Sequence, residues 1–381
     1  MKRPVLKRLA RSAALVTASL LAISACGSDS KSASTTATPA TSAATSAATQ
    51  TTATADSSPA TSAASELPTT TLPTSVDIGT IDSATDSLGE TVDSSAPVGS
   101  NGEGCVYCVE TDDGVVTLDH KPEKIVSLAP THTETLFAIG AGPQVIAVDD
   151  QSNYPAEAAK VKTDLSGYTP NIEAIAGYKP DLVLISGDTA GVAAQLEALD
   201  IPVWTGSAAD TIEEAYEEIQ QLGTLTGNGD AASTLITQMQ ADITTILDDV
   251  PDSEVPLTYY HELDNTYFSI TSDTFLGQLY SLANLKNIAD GADADTTYPQ
   301  LSSELIISSN PDLIFLADTK CCGESAATVG VRDGWADITA VKNGGVIEMD
   351  DDIASRWGPR VVDYLRAIVD AVKAASSVPA G

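Results

Sequence analysis

From Lys124 onward, short β-type apolar runs alternate with helix-patterned stretches, and this alternation limits the fold more than any other feature of the chain. Lys124-Ile125-Val126-Ser127-Leu128 leads into a helix pattern at Leu136, Phe137 and Ile139, which Gly140-Ala141-Gly142 stops before the run Val145-Ile146-Ala147-Val148. A helix over 172–176, a strand over 182–185, a helix over 191–199 and a strand at Val203-Trp204 continue the series. Two longer helices follow, over 211–222 and 230–247, with Gly227-Asn228-Gly229 between them. The alternation then restarts. It gives a strand over 257–260, the run Tyr267-Phe268-Ser269-Ile270, helices over 274–283 and 302–308, strands over 313–316 and 346–348, and a last helix from Gly358 to about Ala374. Strands and helices that alternate at this spacing build βαβ units and parallel sheets. The pattern predicts two α/β halves joined by a helix.

The first hundred residues belong to a different class. Lys2, Arg3, Lys7, Arg8 and Arg11 precede an apolar stretch of roughly 13–23, too short to remain as a membrane-spanning helix. It ends Ile23-Ser24-Ala25-Cys26, with Gly27 and Ser28 after it. Small residues before a cysteine fit a lipobox. Residues 1–25 therefore read as a lipoprotein signal peptide, and Cys26 as the lipidated residue that ties the chain to the cell membrane. Residues 26–104 are Ser-, Thr- and Ala-rich, then acidic and punctuated by Pro and Gly. Such a segment buries too little apolar surface to offset its ordering entropy and reads as a tether. The net charge is −34, and loss of the leader would remove five of the 19 basic residues and no acid. A surface of this sign keeps the chain soluble and repels nucleic acid. Cys105, Cys108, Cys321 and Cys322 would sit in an oxidising compartment and are disulfide candidates, with all three pairings open. Cys105 and Cys108 have redox spacing, but no thioredoxin-like strand and helix follow them, and no Ser-His-Asp or Walker-type motif is present. The chain is not read as an enzyme.

From Lys121 to about Ala374 the sequence resembles the periplasmic binding proteins for siderophores, haem and cobalamin. The matching segments are the run from Lys124 through Ala129-Pro130-Thr131-His132-Thr133-Glu134-Thr135-Leu136, Asn153-Tyr154-Pro155, and Asn171-Ile172-Glu173-Ala174-Ile175 leading to Lys179-Pro180-Asp181-Leu182-Val183. In the second half they are Thr274-Phe275-Leu276-Gly277, Ser303-Glu304-Leu305 leading to Asn310-Pro311-Asp312-Leu313-Ile314, and Trp357-Gly358-Pro359-Arg360. No single motif is decisive; their order and spacing carry the likeness, which covers neither the tether nor the Cys105–Cys108 segment. The resemblance implies two Rossmann-like α/β lobes, 105–229 and 251–381, joined by one long rigid helix over 230–250, with a ligand cleft between them. It implies a monomer that binds a small-molecule ligand, a metal chelate or corrinoid, without a resident cofactor or metal. The partner is an ABC permease dimer with its ATPase. Glu173 and Glu304 occupy the motif positions that salt-bridge to the permease. The other reading of these two is that each favours its own helix N-terminus.

Ligands of open α/β sheets lie beyond the carboxyl ends of the strands. The expected contacts are thus Thr131, His132, Gln151, Tyr154 and Tyr168 in the first lobe, and His261, Arg356 and Trp357 in the second. Backbone N–H groups of the 129–134 loop suit an anionic group of the ligand. Tyrosine and tryptophan offer flat apolar area with one polar tip. Arg356 either clamps an anion with its planar fork or pairs with Asp350, Asp351 or Asp352; Arg332 and Arg360 are the other arginines nearby. Cys321-Cys322 follows a strand on the cleft side, with ligand contact open. An iron-siderophore is the first ligand expected, with cobalamin or haem as the alternative. A metal-ion receptor using His132, His261 and Glu262, and a sensor lipoprotein, are further alternatives.

Overall fold

The computed structural model describes residues 105–377 except Thr189. The leader, Cys26 and the tether of 26–104 lie outside the described residues. The described chain opens with a hairpin, β1 (Tyr107–Thr111) antiparallel to β2 (Gly114–Leu118), with Tyr107 opposite Leu118. β1 was not expected; it ends in Glu110 and Thr111, which carry no apolar pattern. Cys105 and Cys108 stand side by side at its start, their Cα atoms 6.0 Å apart.

The first lobe is built on β3 (Ile125–Ser127), β4 (Val145–Val148), β5 (Leu182–Ser186) and β6 (Val203–Gly206), all parallel, in the order β4-β3-β5-β6. Its helices are α1 (Pro130–Ala138), α2 (Ile172–Gly177), α3 (Val192–Glu197) and α4 (Ile212–Leu225). The strands are covered on both faces, which is why they read as unbroken apolar runs in place of an alternating pattern. α4 is capped by Thr211, whose side chain accepts from the Glu214 N–H, and it carries Glu213 and Glu214 in its first turn. It runs one turn further than expected and ends before Gly227, which holds φ +65°. α5 (Gly229–Leu247) follows and leads to the second lobe.

That lobe has β7 (Leu257–Glu262), β8 (Leu285–Asn287), β9 (Leu313–Leu316) and β10 (Val346–Glu348), parallel in the order β10-β9-β7-β8. α6 (Phe275–Leu282) and α7 (Ser303–Ser309) are capped by Thr274 and Ser302. Four short helices follow: α8 (Thr319–Cys322), α9 (Ala326–Gly330), α10 (Thr339–Asn343) and α11 (Asp351–Ala354). The chain closes with α12 (Val361–Ser376). This is the α/β class expected, with a parallel sheet in each lobe. Two expectations of detail fail. Residues 267–270 join neither sheet; they form a single Phe268–Gln300 bridge with the extended 297–300 segment, and their carbonyls accept from the Leu263 and Leu301 N–H groups. α12 begins three residues later than expected, because Gly358 and Pro359 form a turn before it.

One continuous apolar cluster runs through both lobes. It joins Val145, Leu184 and Trp204 of the first to Tyr259, Leu279 and Phe315 of the second by way of Met239 and Ile246 on α5 and Leu365 and Ile368 on α12. Each lobe keeps a separate cluster on the other face of its sheet, around Val126, Val183 and Leu196 in one and Ile314, Leu316 and Trp335 in the other.

Candidate functional site

A cavity of about 310 Å³ opens between the lobes. From the first lobe it is lined by Leu128, Ala129, Pro130 and Thr131 after β3, Asp149 and Gln151 after β4, Gly167 and Tyr168, and Ser186 at the end of β5. From the second it is lined by Asp352, Ser355, Arg356 and Trp357, which follow β10. Strand carboxyl ends of both lobes thus face one groove.

The groove floor is set by α1. Ala129 precedes it in extended conformation without a side-chain cap, Pro130 starts it, and no acid stands in its first turn. One turn further in, Glu134 is 3 % exposed and accepts from two arginines of the second lobe. Arg356 donates to Glu134 Oε1, and Arg360 donates through Nε to Oε2 at 2.7 Å and through Nη2 to Oε1. Arg356 also donates to Asn153 Oδ1 (2.9 Å), Asp352 Oδ1 (2.8 Å) and the Gln151 carbonyl (3.4 Å). Asp352 in turn accepts from Asn153 Nδ2 and Lys320 Nζ. Burial opposes the Arg360 charge, but hydrogen bonds and the charge of Glu134 outweigh it and hold the guanidinium above its ordinary pKa.

Thr131, Gln151, Tyr168, Arg356 and Trp357 therefore meet at the groove. Tyr168 is 87 % exposed at its edge. Trp357 donates from Nε1 to Glu218 Oε2 at 2.8 Å. Arg356 resolves its two readings toward the ion pair, with Asp352 and also with Glu134, a partner the sequence reading did not name. Three expected contacts lie elsewhere. His132 is 1 % exposed behind the groove wall, edge-on to Trp204 with centroids 4.8 Å apart and 3.7 Å from Glu218 Oε2. The helix turn that points Thr131 into the groove points the next side chain toward the sheet, and Gly206 leaves room for it: a Cβ there would lie 2.5 Å from His132 Nε2. His261 is fully buried, its Nδ1 2.9 Å from the Tyr280 hydroxyl. Burial brings its pKa down to about 3, so the ring is neutral. Strand alternation puts it on the core face of β7. Tyr154 stands beside the groove with its ring 4.3 Å from the Arg360 guanidinium.

The three residues proposed as a metal set do not converge, because Glu262 is held in a two-point pair by Arg332 at 2.6 Å. Among the described residues no group of three or more His, Cys, Asp or Glu side chains fits a metal ion. Cys321 and Cys322 lie together on exposed α8, outside the groove lining. Glu173 and Glu304 are both exposed, each in the first turn of its helix, behind the caps Asn171 and Ser302. Glu134, Asp149, Ser186 and Ser355 were missed, and Asp352 was named only as a candidate partner of Arg356. Position after a strand would have found Asp149 and Ser186. Glu134 pairs with residues 222 and 226 positions away, and no local signal announces that.

The family model described as periplasmic binding protein matches residues 125–353. The ABC transporter substrate-binding lipoprotein YvrC of Bacillus subtilis is 32 % identical over 278 residues, covering 70 % of this chain and 86 % of that protein. A cobalamin-binding protein of Halobacterium salinarum is 30 % identical and covers 70 % of this chain and 74 % of its own length. A solved structure from Staphylococcus epidermidis, described as a possible iron-binding, periplasmic solute-binding protein, is 26 % identical with a TM-score of 0.57, covering 66 % of this chain and 99 % of that one.

Proposed function

The chain belongs to the periplasmic binding protein family, whose members bind solutes and are not enzymes, and on that premise we propose that it is the lipid-anchored receptor of an ABC importer for a corrinoid. Its coarser role is that of an extracytoplasmic substrate-binding protein of the cobalamin, haem and siderophore type. The observation that carries the reading is the groove: strand ends of two parallel lobes face each other across it, with Tyr168 and Trp357 offering flat aromatic surface. The naming of the Halobacterium relative supports cobalamin as the cargo. A ferric siderophore, placed first by the sequence, is the second reading, favoured by the description of the Staphylococcus structure. Anchoring through Cys26, the tether and docking through Glu173 and Glu304 complete the proposal; the lipoprotein naming of YvrC supports the anchor.

Fluorescence titration of the purified protein with cyanocobalamin, haemin and ferric chelates tests it. Trp357 lines the groove, so a corrinoid is expected to quench saturably. Quenching by a ferric chelate alone would move the second reading to first place, and no saturable response to any of them would remove the transport reading. Cys26→Ala is expected to release the protein from the membrane; retention would rule out the lipid.

A further inference from the structure

We infer that the groove accepts neutral or cationic metal chelates and turns away polyanionic ones, with Glu134 and Asp352 as the residues that set this preference. The inference rests on the transport reading above and names the charge class of its cargo.

Among the described residues Arg356 is the single basic side chain that lines the groove, and it is already spent. Its Nη1 serves Glu134 and Asn153, and its Nη2 serves Asp352 and the Gln151 carbonyl. Four of its five N–H donors are committed inside the protein. The nearby Arg360 is bound twice by the same Glu134. The third arginine near the cleft, Arg332, is matched by Glu262 and Glu324. The groove's own carboxylates are Asp149 and Asp352. Asp149 accepts from the Gln151 and Ser152 N–H groups and the Ser152 hydroxyl, and among the described residues no basic side chain is paired with it. With Lys320, which bridges Asp350 and Asp352, four carboxylates, Glu134, Asp149, Asp350 and Asp352, therefore face three cations, Arg356, Arg360 and Lys320.

An anionic chelate that took Arg356 would cost Glu134 one of its two guanidinium partners, or leave Asp352 to Asn153 and Lys320 alone. Glu134 is 3 % exposed, so water would not replace the lost ion pair. An anion that left the pairs intact would meet unbalanced negative charge. Either route weakens binding of a polyanion. A neutral corrinoid or a cationic ferric trihydroxamate meets neither penalty.

The test titrates the full-length protein in detergent with three probes: neutral cyanocobalamin, a monocationic ferric trihydroxamate and a trianionic ferric tris-catecholate. The wild type is expected to bind at least one of the first two, and the trianion roughly 100-fold more weakly or worse, the size of a like-charge juxtaposition of several kcal/mol. Glu134→Gln and Asp352→Asn each free Arg356 and are expected to narrow that gap by roughly tenfold or more. Asp352 lies at the groove rim, so its variant folds even where the buried Glu134 change does not. In the wild type, raising the salt is expected to strengthen trianion binding by screening repulsion and to leave cyanocobalamin unaffected. Trianion binding as tight as that of the best other probe overturns the charge assignment and leaves the transport reading standing. So does a gap that neither Asp352→Asn nor salt alters. A wild type that binds none of the three overturns this inference, and where haemin too fails to bind, the transport reading with it.

Discussion

Asp318 is fully buried just after β9, and neither of its carboxylate oxygens has a hydrogen-bond partner among the described residues. Burial, followed by the charges of Glu262 and Glu324, pushes its pKa up to about 7. An aspartate in the unfolded chain titrates near ~3.9. Between those values the folded protein holds a proton that the unfolded chain has released. The stability contributed by this group is therefore complete below the unfolded value and is lost as the pH rises through about 7. Asp318→Asn keeps the neutral form at every pH. Urea unfolding is expected to find the variant gaining on the wild type from pH 4.5 to pH 8, and more stable at the upper end. A difference that stays constant over that range would mean that Asp318 is ionised throughout. His261 behaves oppositely in kind: burial brings its pKa down to about 3 from 6.5, so between those values the unfolded chain binds a proton that the folded ring refuses, stability is lost as the pH falls through that window, and His261→Gln is expected to lessen that loss.

At the scale of elements, α8 shows how a short turn is held without a core of its own. Its four residues include no buried side chain. The Asp351 carboxylate instead accepts the N–H groups of Thr319, Lys320 and Cys321, as well as the Thr319 hydroxyl, while Lys320 bridges Asp350 and Asp352. Asp351→Ala removes all four acceptor contacts at once. Amide hydrogen exchange at 319–321 is expected to accelerate strongly, while global stability falls by about 1–2 kcal/mol, the scale of a lost helix cap. Unchanged exchange there would show that contacts other than the Asp351 carboxylate hold the turn. The same element marks the limit of what the sequence reveals. β3, β5 and β9 were legible because strands covered on both faces are written as apolar runs, and α4 and α5 because their length lets the helical period show. β8 has only Leu285 as an apolar anchor, and α8 to α11 span four or five residues each, too few for a period to emerge. In the groove, Tyr168, Arg356 and Trp357 were legible from their place in loops after strands. His132 and His261 were misplaced because residue chemistry was followed where side-chain direction decided the matter.

Across the whole molecule the central fact is that the lobes share apolar core through α5 and α12. Met239 is 3 % exposed at that junction. Met239→Ala is expected to cost about 2–5 kcal/mol, typical of a buried methionine truncated to alanine. Because the cluster is continuous, tryptophan fluorescence and far-UV circular dichroism are expected to give one coincident unfolding transition, with Trp204 reporting from one lobe and Trp335 from the other. Separated transitions would mean that the lobes fold independently. A shared core also restricts hinge motion, since opening the lobes would expose side chains packed on both sides of it. That restriction bears on the docking role proposed for Glu173 and Glu304. Each is an exposed carboxylate in a first helical turn, one per lobe, and a continuous core keeps their separation nearly constant whether or not cargo is bound. Two charges at a fixed spacing give register on a symmetric permease as well as attraction. Neither touches the groove, so Glu173→Ala with Glu304→Ala is expected to abolish uptake into cells while the purified variant keeps wild-type affinity for its chelate. Each single change is expected to leave partial uptake, and charge reversal to lysine to be worse than alanine at either position. If uptake survives the double change, or if ligand affinity falls with it, the two glutamates serve their helices and the permease reads another surface.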